Sequence, residues 1–177
     1  IFDIKGLWMK EKLNLYYAGI VSMKQAQERN VRLADSQKLQ IDCTLNNKEI
    51  FEKEKISNWL KQFKKHQGIY FLDFETSAIA TPQYNGSKPW EAIPIQYSVH
   101  HKDLTDNKLT HFEFLANPSE DKDQRLELTK SLIVNLNRNS KISPIIVFSK
   151  FEAGRLKYLA NLFPSLTQEI YCIIDRF

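Results

Sequence analysis

Cysteine is scarce in this chain: 177 residues hold two, Cys43 and Cys172, far apart and in no metal-ligating spacing. Neither a disulfide framework nor a cysteine-bound metal therefore organises it, and two reduced thiols of a cytoplasmic protein are expected. No window approaches the roughly 18 uninterrupted apolar residues of a membrane span, so no membrane partner is expected. No signal-peptide pattern opens the chain. One-sided charge is missing too. Against 21 acidic residues stand 25 basic ones, a net charge of +4 that suits a nucleic-acid partner but is too mild to argue for one. Of the four histidines, His100, His101 and His111 lie in or beside one pair of strands at no recognisable ligand spacing. Surface or internally satisfied rings are the expectation. The chain opens on Ile1 and closes at Phe177 after an apolar run without a turn, which reads as a segment of a longer protein.

What is present suits a soluble globular protein with one core and a small appendage. Residues 1–66 read as an all-helical connector. Leu13, Leu15, Tyr16 and Tyr17 end at Gly19, a left-handed cap, and Ser22-Met23-Lys24-Gln25 fits a capping box. A third helix begins near Asp35 and breaks at Asn46-Asn47. In the next, Ile56, Trp59, Leu60 and Phe63 recur at i, i+3, i+4 and i+7. Residues 67–177 form the second domain. Strands are expected near 69–76, 93–100, 109–115 and 145–148, with helices over 120–137, from Phe151, and over 165–176. The order strand-strand-strand-helix-strand-helix indicates a mixed α/β sheet. Residues 77–92 read as a long loop, a lid or substrate wall.

The central stretch is Ile69-Tyr70-Phe71-Leu72-Asp73-Phe74-Glu75-Thr76, which reads as a strand buried on both faces. Asp73 and Glu75, at i and i+2, point the same way at its C-terminal end. Two unpaired charges beside a core cost several kcal/mol each, which a divalent cation with oxygen ligands offsets. Solvent exposure or a lysine partner accounts for the same spacing. Glu152 is the third acid. It opens a helix directly after a buried strand, where open sheets gather ligands and negative charge is favoured.

These residues resemble a known family. Phe71-Leu72-Asp73-Phe74-Glu75-Thr76 is similar to the first motif of the DnaQ-like DEDD 3′–5′ exonucleases of the ribonuclease H-like superfamily. Phe151-Glu152 with Leu156 resembles their second. More closely, Tyr70 to Asp175 resembles a bacterial domain family of unknown function, through those stretches together with Ile93-Pro94-Ile95-Gln96-Tyr97-Ser98. Leu15-Tyr16-Tyr17-Ala18-Gly19-Ile20 looks like the connector upstream of it, often preceded by a RecB-like nuclease domain. The chain departs from the exonucleases at Phe148, where Asn is usual, and at Glu152, where Asp is usual. Asp175 matches a helical position and is set aside as a fourth acid.

The resemblance implies a ribonuclease H-like mixed sheet and two-metal phosphodiester hydrolysis of DNA or RNA, single-stranded 3′ ends above all. Two Mg²⁺ or Mn²⁺ ions would bridge Asp73, Glu75 and Glu152, with Thr76 and Gln96 as substrate contacts. A sheet amide is the plainer role for Gln96, and core packing for Tyr97. The general base and last carboxylate are expected beyond Phe177, so residues 1–177 alone should be weak or inactive. The alternative is a non-catalytic nucleic-acid-binding or scaffolding module of a larger nuclease protein.

Overall fold

The computed structural model describes residues 1–120, 122–139 and 142–177. They gather into two compact units, Ile1–Ile56 and Ser57–Phe177.

The first unit is helical, with α1 (Met9–Tyr17), α2 (Met23–Glu28) and α3 (Asp35–Leu45). Helix α1 ends in a Schellman motif: the Ile20 N–H donates to the Leu15 carbonyl and the Gly19 N–H to that of Tyr16. Gly19 supplies the required positive φ, at 75°. The capping box forms at α2. Ser22 Oγ accepts from the Gln25 N–H, and Gln25 Oε1 from the Ser22 N–H, both at 3.2 Å. Ile1, Ile4, Ile20, Ala26 and Ile41 make the core of this unit. Helix α4 (Lys53–Lys61) runs across the division between the units. It stops before Phe63, and of the four stripe residues only Phe63 is buried.

The second unit is mixed α/β. Its order is β1 (Gly68–Ser77), β2 (Ile93–Asp103), β3 (Leu109–Leu115), α5 (Arg125–Asn137), β4 (Ile145–Ile146), α6 (Phe151–Leu162), a 3-10 turn (Pro164–Leu166) and α7 (Thr167–Ile174). The sheet order is β3-β2-β1-β4. Strands β1, β2 and β3 form an antiparallel meander, whereas β4 runs parallel to β1 with Tyr70 opposite Ile145. A parallel neighbour needs a crossover, and α5 lies in it. The core gathers on one sheet face: Tyr70, Leu72, Phe74, Tyr97 and Val99 meet Leu128, Leu132 and Leu136 of α5, Leu156 and Leu159 of α6, and Ile170 and Ile173 of α7.

That one-sided packing corrects the reading of β1 as buried on both faces. Tyr70, Leu72 and Phe74 are buried while Phe71, Asp73 and Glu75 are exposed. The apolar run is continuous, but the core uses only alternate residues of it. Several bounds differ as well. Strand β2 extends to Asp103, and α5 starts at Arg125 rather than near 120. Pro118 and Ser119 lie in a turn; Asp121, within the expected helix, lies outside the described residues. Strand β4 is two residues long because the chain bends at Phe148.

Candidate functional site

The antiparallel register sets out the exposed sheet face row by row. Phe71 stands opposite His100, itself opposite His111; Asp73 opposite Ser98 and then Glu113; Glu75 opposite Gln96 and then Leu115. Paired residues share a face, so the two carboxylates lie side by side along β1 with Gln96 next to Glu75. The register shifts between Glu75 and Thr76. Such a bulge bends a strand and is common beside functional sites. It takes Thr76 out of the row, opposite Pro94. Among the described residues, no side chain is hydrogen-bonded or ion-paired to Asp73 or Glu75. Both are exposed, so water solvates them and the burial cost inferred from the sequence does not arise.

Glu152 is placed differently. Strand β4 runs parallel to β1, so the start of α6 and the end of β1 lie at the same end of the sheet. Yet Glu152 is 3% exposed. Its Oε2 accepts from the Ser149 backbone N–H at 3.3 Å and from Ser149 Oγ at 3.4 Å. Ser149 Oγ in turn accepts from the Phe151 N–H at 3.0 Å. Glu152 thus reaches back three residues to the Ser149 N–H just before the helix, as the Glu of a capping box does. The Ser149-x-x-Glu152 spacing was a sequence signal for this bond.

Loop 78–92 is tied down by two arginines. Buried Arg125 of α5 holds Asp123 through Nε–Oδ1 at 2.8 Å and Nη2–Oδ2 at 2.6 Å, and also bonds the Tyr158 hydroxyl. Its guanidinium lies 4.7 Å from the centre of the Tyr84 ring, within the loop. Burial works against the charge of Arg125, but the Asp123 carboxylate and Tyr158 outweigh it and hold its pKa above the usual range. The same burial pushes the Tyr84 and Tyr158 phenols up. Arg155 of α6 donates to the Ala92 carbonyl at the end of the loop, while its Nε is buried without a hydrogen-bond partner. The loop is therefore fastened at Tyr84 and at Ala92. Neither arginine was foreseen, because no local spacing distinguishes a loop clamp from a surface cation.

The remaining residues named from sequence fall into place. Tyr97 is fully buried, with its hydroxyl 2.6 Å from Ser131 Oγ and 2.8 Å from Asn135 Nδ2. His101 is buried and bonded to Asn139, and His100 stacks on His111 at 4.4 Å. Asp175 caps the end of α7. Both cysteines are free thiols. Among the described residues no helix is long and apolar enough to cross a membrane. Nor does any group of three His, Cys, Asp or Glu side chains stand placed to hold a metal ion. Asp73 and Glu75 are open oxygen donors of the kind hard cations prefer; Glu152, turned into its cap, does not join them.

Residues 70–177 match a family model described as a domain of unknown function, DUF2779. No curated protein and no solved structure matches the chain.

Proposed function

We propose, for a chain that belongs to the DUF2779 family, a metal-dependent phosphodiesterase module of ribonuclease H-like type acting on single-stranded 3′ ends of DNA or RNA. The observation that carries this reading is the Asp73–Glu75 pair, two unpartnered carboxylates side by side at the C-terminal end of a central strand. Two things support it. The first is the similarity of Leu72-Asp73-Phe74-Glu75-Thr76 to the first exonuclease motif. The second is that strands and helices follow the order which that resemblance implies.

Asp73 and Glu75 would hold Mg²⁺ or Mn²⁺, which in such chemistry stabilises phosphoryl charge and lowers the pKa of bound water. Gln96, opposite Glu75, would orient a phosphate oxygen or a carboxylate, and the loop fastened by Arg125 and Arg155 would wall the strand's path. The capping of Glu152 by Ser149 favours a second reading, in which the same face binds nucleic acid without cutting it.

The test is Mn²⁺-dependent degradation of end-labelled single strands by the full-length protein. Shortening from the 3′ end is expected, with the rate falling more than about a hundredfold in Asp73→Asn and in Glu75→Gln, since partners of a metal's ligands alone contribute about 10–100-fold. Strand binding without cleavage would replace the nuclease with the scaffold.

A further inference from the structure

On one side the sheet ends at β3, the seven residues Leu109–Leu115. Their backbone groups divide by alternation. The Asp103 N–H donates to the Lys108 carbonyl, and the Ala116 N–H to the Ile95 carbonyl, one step beyond either end of the β2–β3 register. Hydrogen-bonded pairs alternate along an antiparallel ladder, and both ends agree: the even-numbered residues of β3 bond to β2. The N–H and C=O groups of Leu109, His111, Glu113 and Leu115 therefore point away from the sheet, and no hydrogen bond from the described residues reaches them. Natural sheets guard such an edge with lysine, proline, a bulge or a very short strand. Strand β3 has none of these. It reads Leu-Thr-His-Phe-Glu-Phe-Leu and pairs with β2 in unbroken register. Leu109 and Leu115, at its two ends, are 59% and 62% exposed. Between them His111 Nε2 and Glu113 Oε2 of one chain are 3.9 Å apart, too far for a hydrogen bond, and both side chains are exposed.

We infer that β3 pairs antiparallel with β3 of a second copy of this chain, about a two-fold axis at Phe112, joining the two sheets into one. Any extended strand can bond this backbone; the order of the side chains selects a second copy. With Phe112 opposite its own counterpart, His111 faces the partner's Glu113 and Leu109 faces the partner's Leu115, so all seven residues are matched. The pairs on the open face are the odd-numbered residues, whose free N–H and C=O groups then bond each other pair by pair. Moving the axis to Glu113 sets two carboxylates directly opposite, which is destabilising. Moving it to His111 sets Glu113 against the partner's Leu109 and leaves Leu115 without a partner. The contact is isologous, as a two-fold interface requires. It uses neither Asp73 nor Glu75, so it stands apart from the nuclease reading.

The experiment is sedimentation equilibrium of the full chain, with hydrogen exchange followed across the same concentrations. A monomer–dimer equilibrium is expected. Exchange should slow with concentration at the amides of His111 and Glu113, while those of Thr110 and Phe112, already bonded to β2, stay as they are. His111→Glu places two like-charge pairs across the axis and should weaken dimerisation at least about fourfold. Adding Glu113→Lys should restore it, because positions 111 and 113 then carry opposite charges in the same register. Both side chains are exposed, and thermal melting checks that each variant folds. A chain still monomeric at about 1 mM overturns the inference. So does a dimer that leaves exchange at His111 and Glu113 unchanged, or one that His111→Glu does not weaken, or failure of the double variant to regain affinity. None of these outcomes touches the cleavage test.

Discussion

His101 shows how one residue within β2 couples the fold to pH. Its ring lies 4.5 Å from that of Tyr70, and its Nδ1 is 2.8 Å from Asn139 Nδ2. Gly68 leaves it room, since a Cβ there would come within 2.4 Å of Nε2. Burial holds its pKa below the usual 6.5, against the partial opposition of Asp103 and Asp106. A depressed histidine pKa means that the unfolded chain binds the proton first. Stability is therefore full above about pH 6.5 and declines as pH falls below it. The melting temperature should drop between pH 7 and pH 5, and His101→Gln should make that drop smaller whatever its effect at pH 7. An unchanged slope in the variant would assign the acid sensitivity to other groups.

At the scale of elements, β1 and the start of α6 decide the chemistry. Asp73 and Glu75 owe their shared direction to strand alternation, whereas Glu152 owes its burial to a helix end that needs an acceptor. Gln occupies the reaching-back position of a capping box as well as Glu does, so Glu152→Gln separates the two roles. Thermal melting should show stability held within about 0.5 kcal/mol, while Glu152→Ala loses roughly 0.5–2 kcal/mol, as broken caps do. Because Glu152 does not join Asp73 and Glu75, the Gln variant should also keep its Mn²⁺-dependent cleavage, and loss of cleavage would make Glu152 a metal ligand. Full cleavage by it would leave Glu152 as a cap alone.

For the whole molecule, the two hydrophobic clusters share no residue: one is built on Ile1, Ile4, Ile20, Ala26 and Ile41, the other on the sheet and its three helices. Two cores of this kind allow separate cooperative units. Ile41→Ala removes about 2–5 kcal/mol of packing from the first cluster. Hydrogen exchange should therefore accelerate at the amides of α2 and α3 while protection at Tyr97 and Leu132 stays unchanged. Equal acceleration in both would show a single cooperative unit.

Much of this architecture was legible from local signals. Gly19 and Ser22 announced their caps because both motifs are completed within six residues, and the Asp73–Glu75 direction followed from strand period alone. Tyr97 was correctly placed in the core by alternation with Val99. What the sequence by itself determined is thus the element order and which residues share a face. It did not show that only one face of β1 is covered, because an apolar run reads alike whether a strand packs on one side or two. Nor did it show that Arg125 and Arg155 fasten loop 78–92. Those facts depend on residues brought together across 30 to 80 positions, by crossover and register, and only the tertiary structure supplies them.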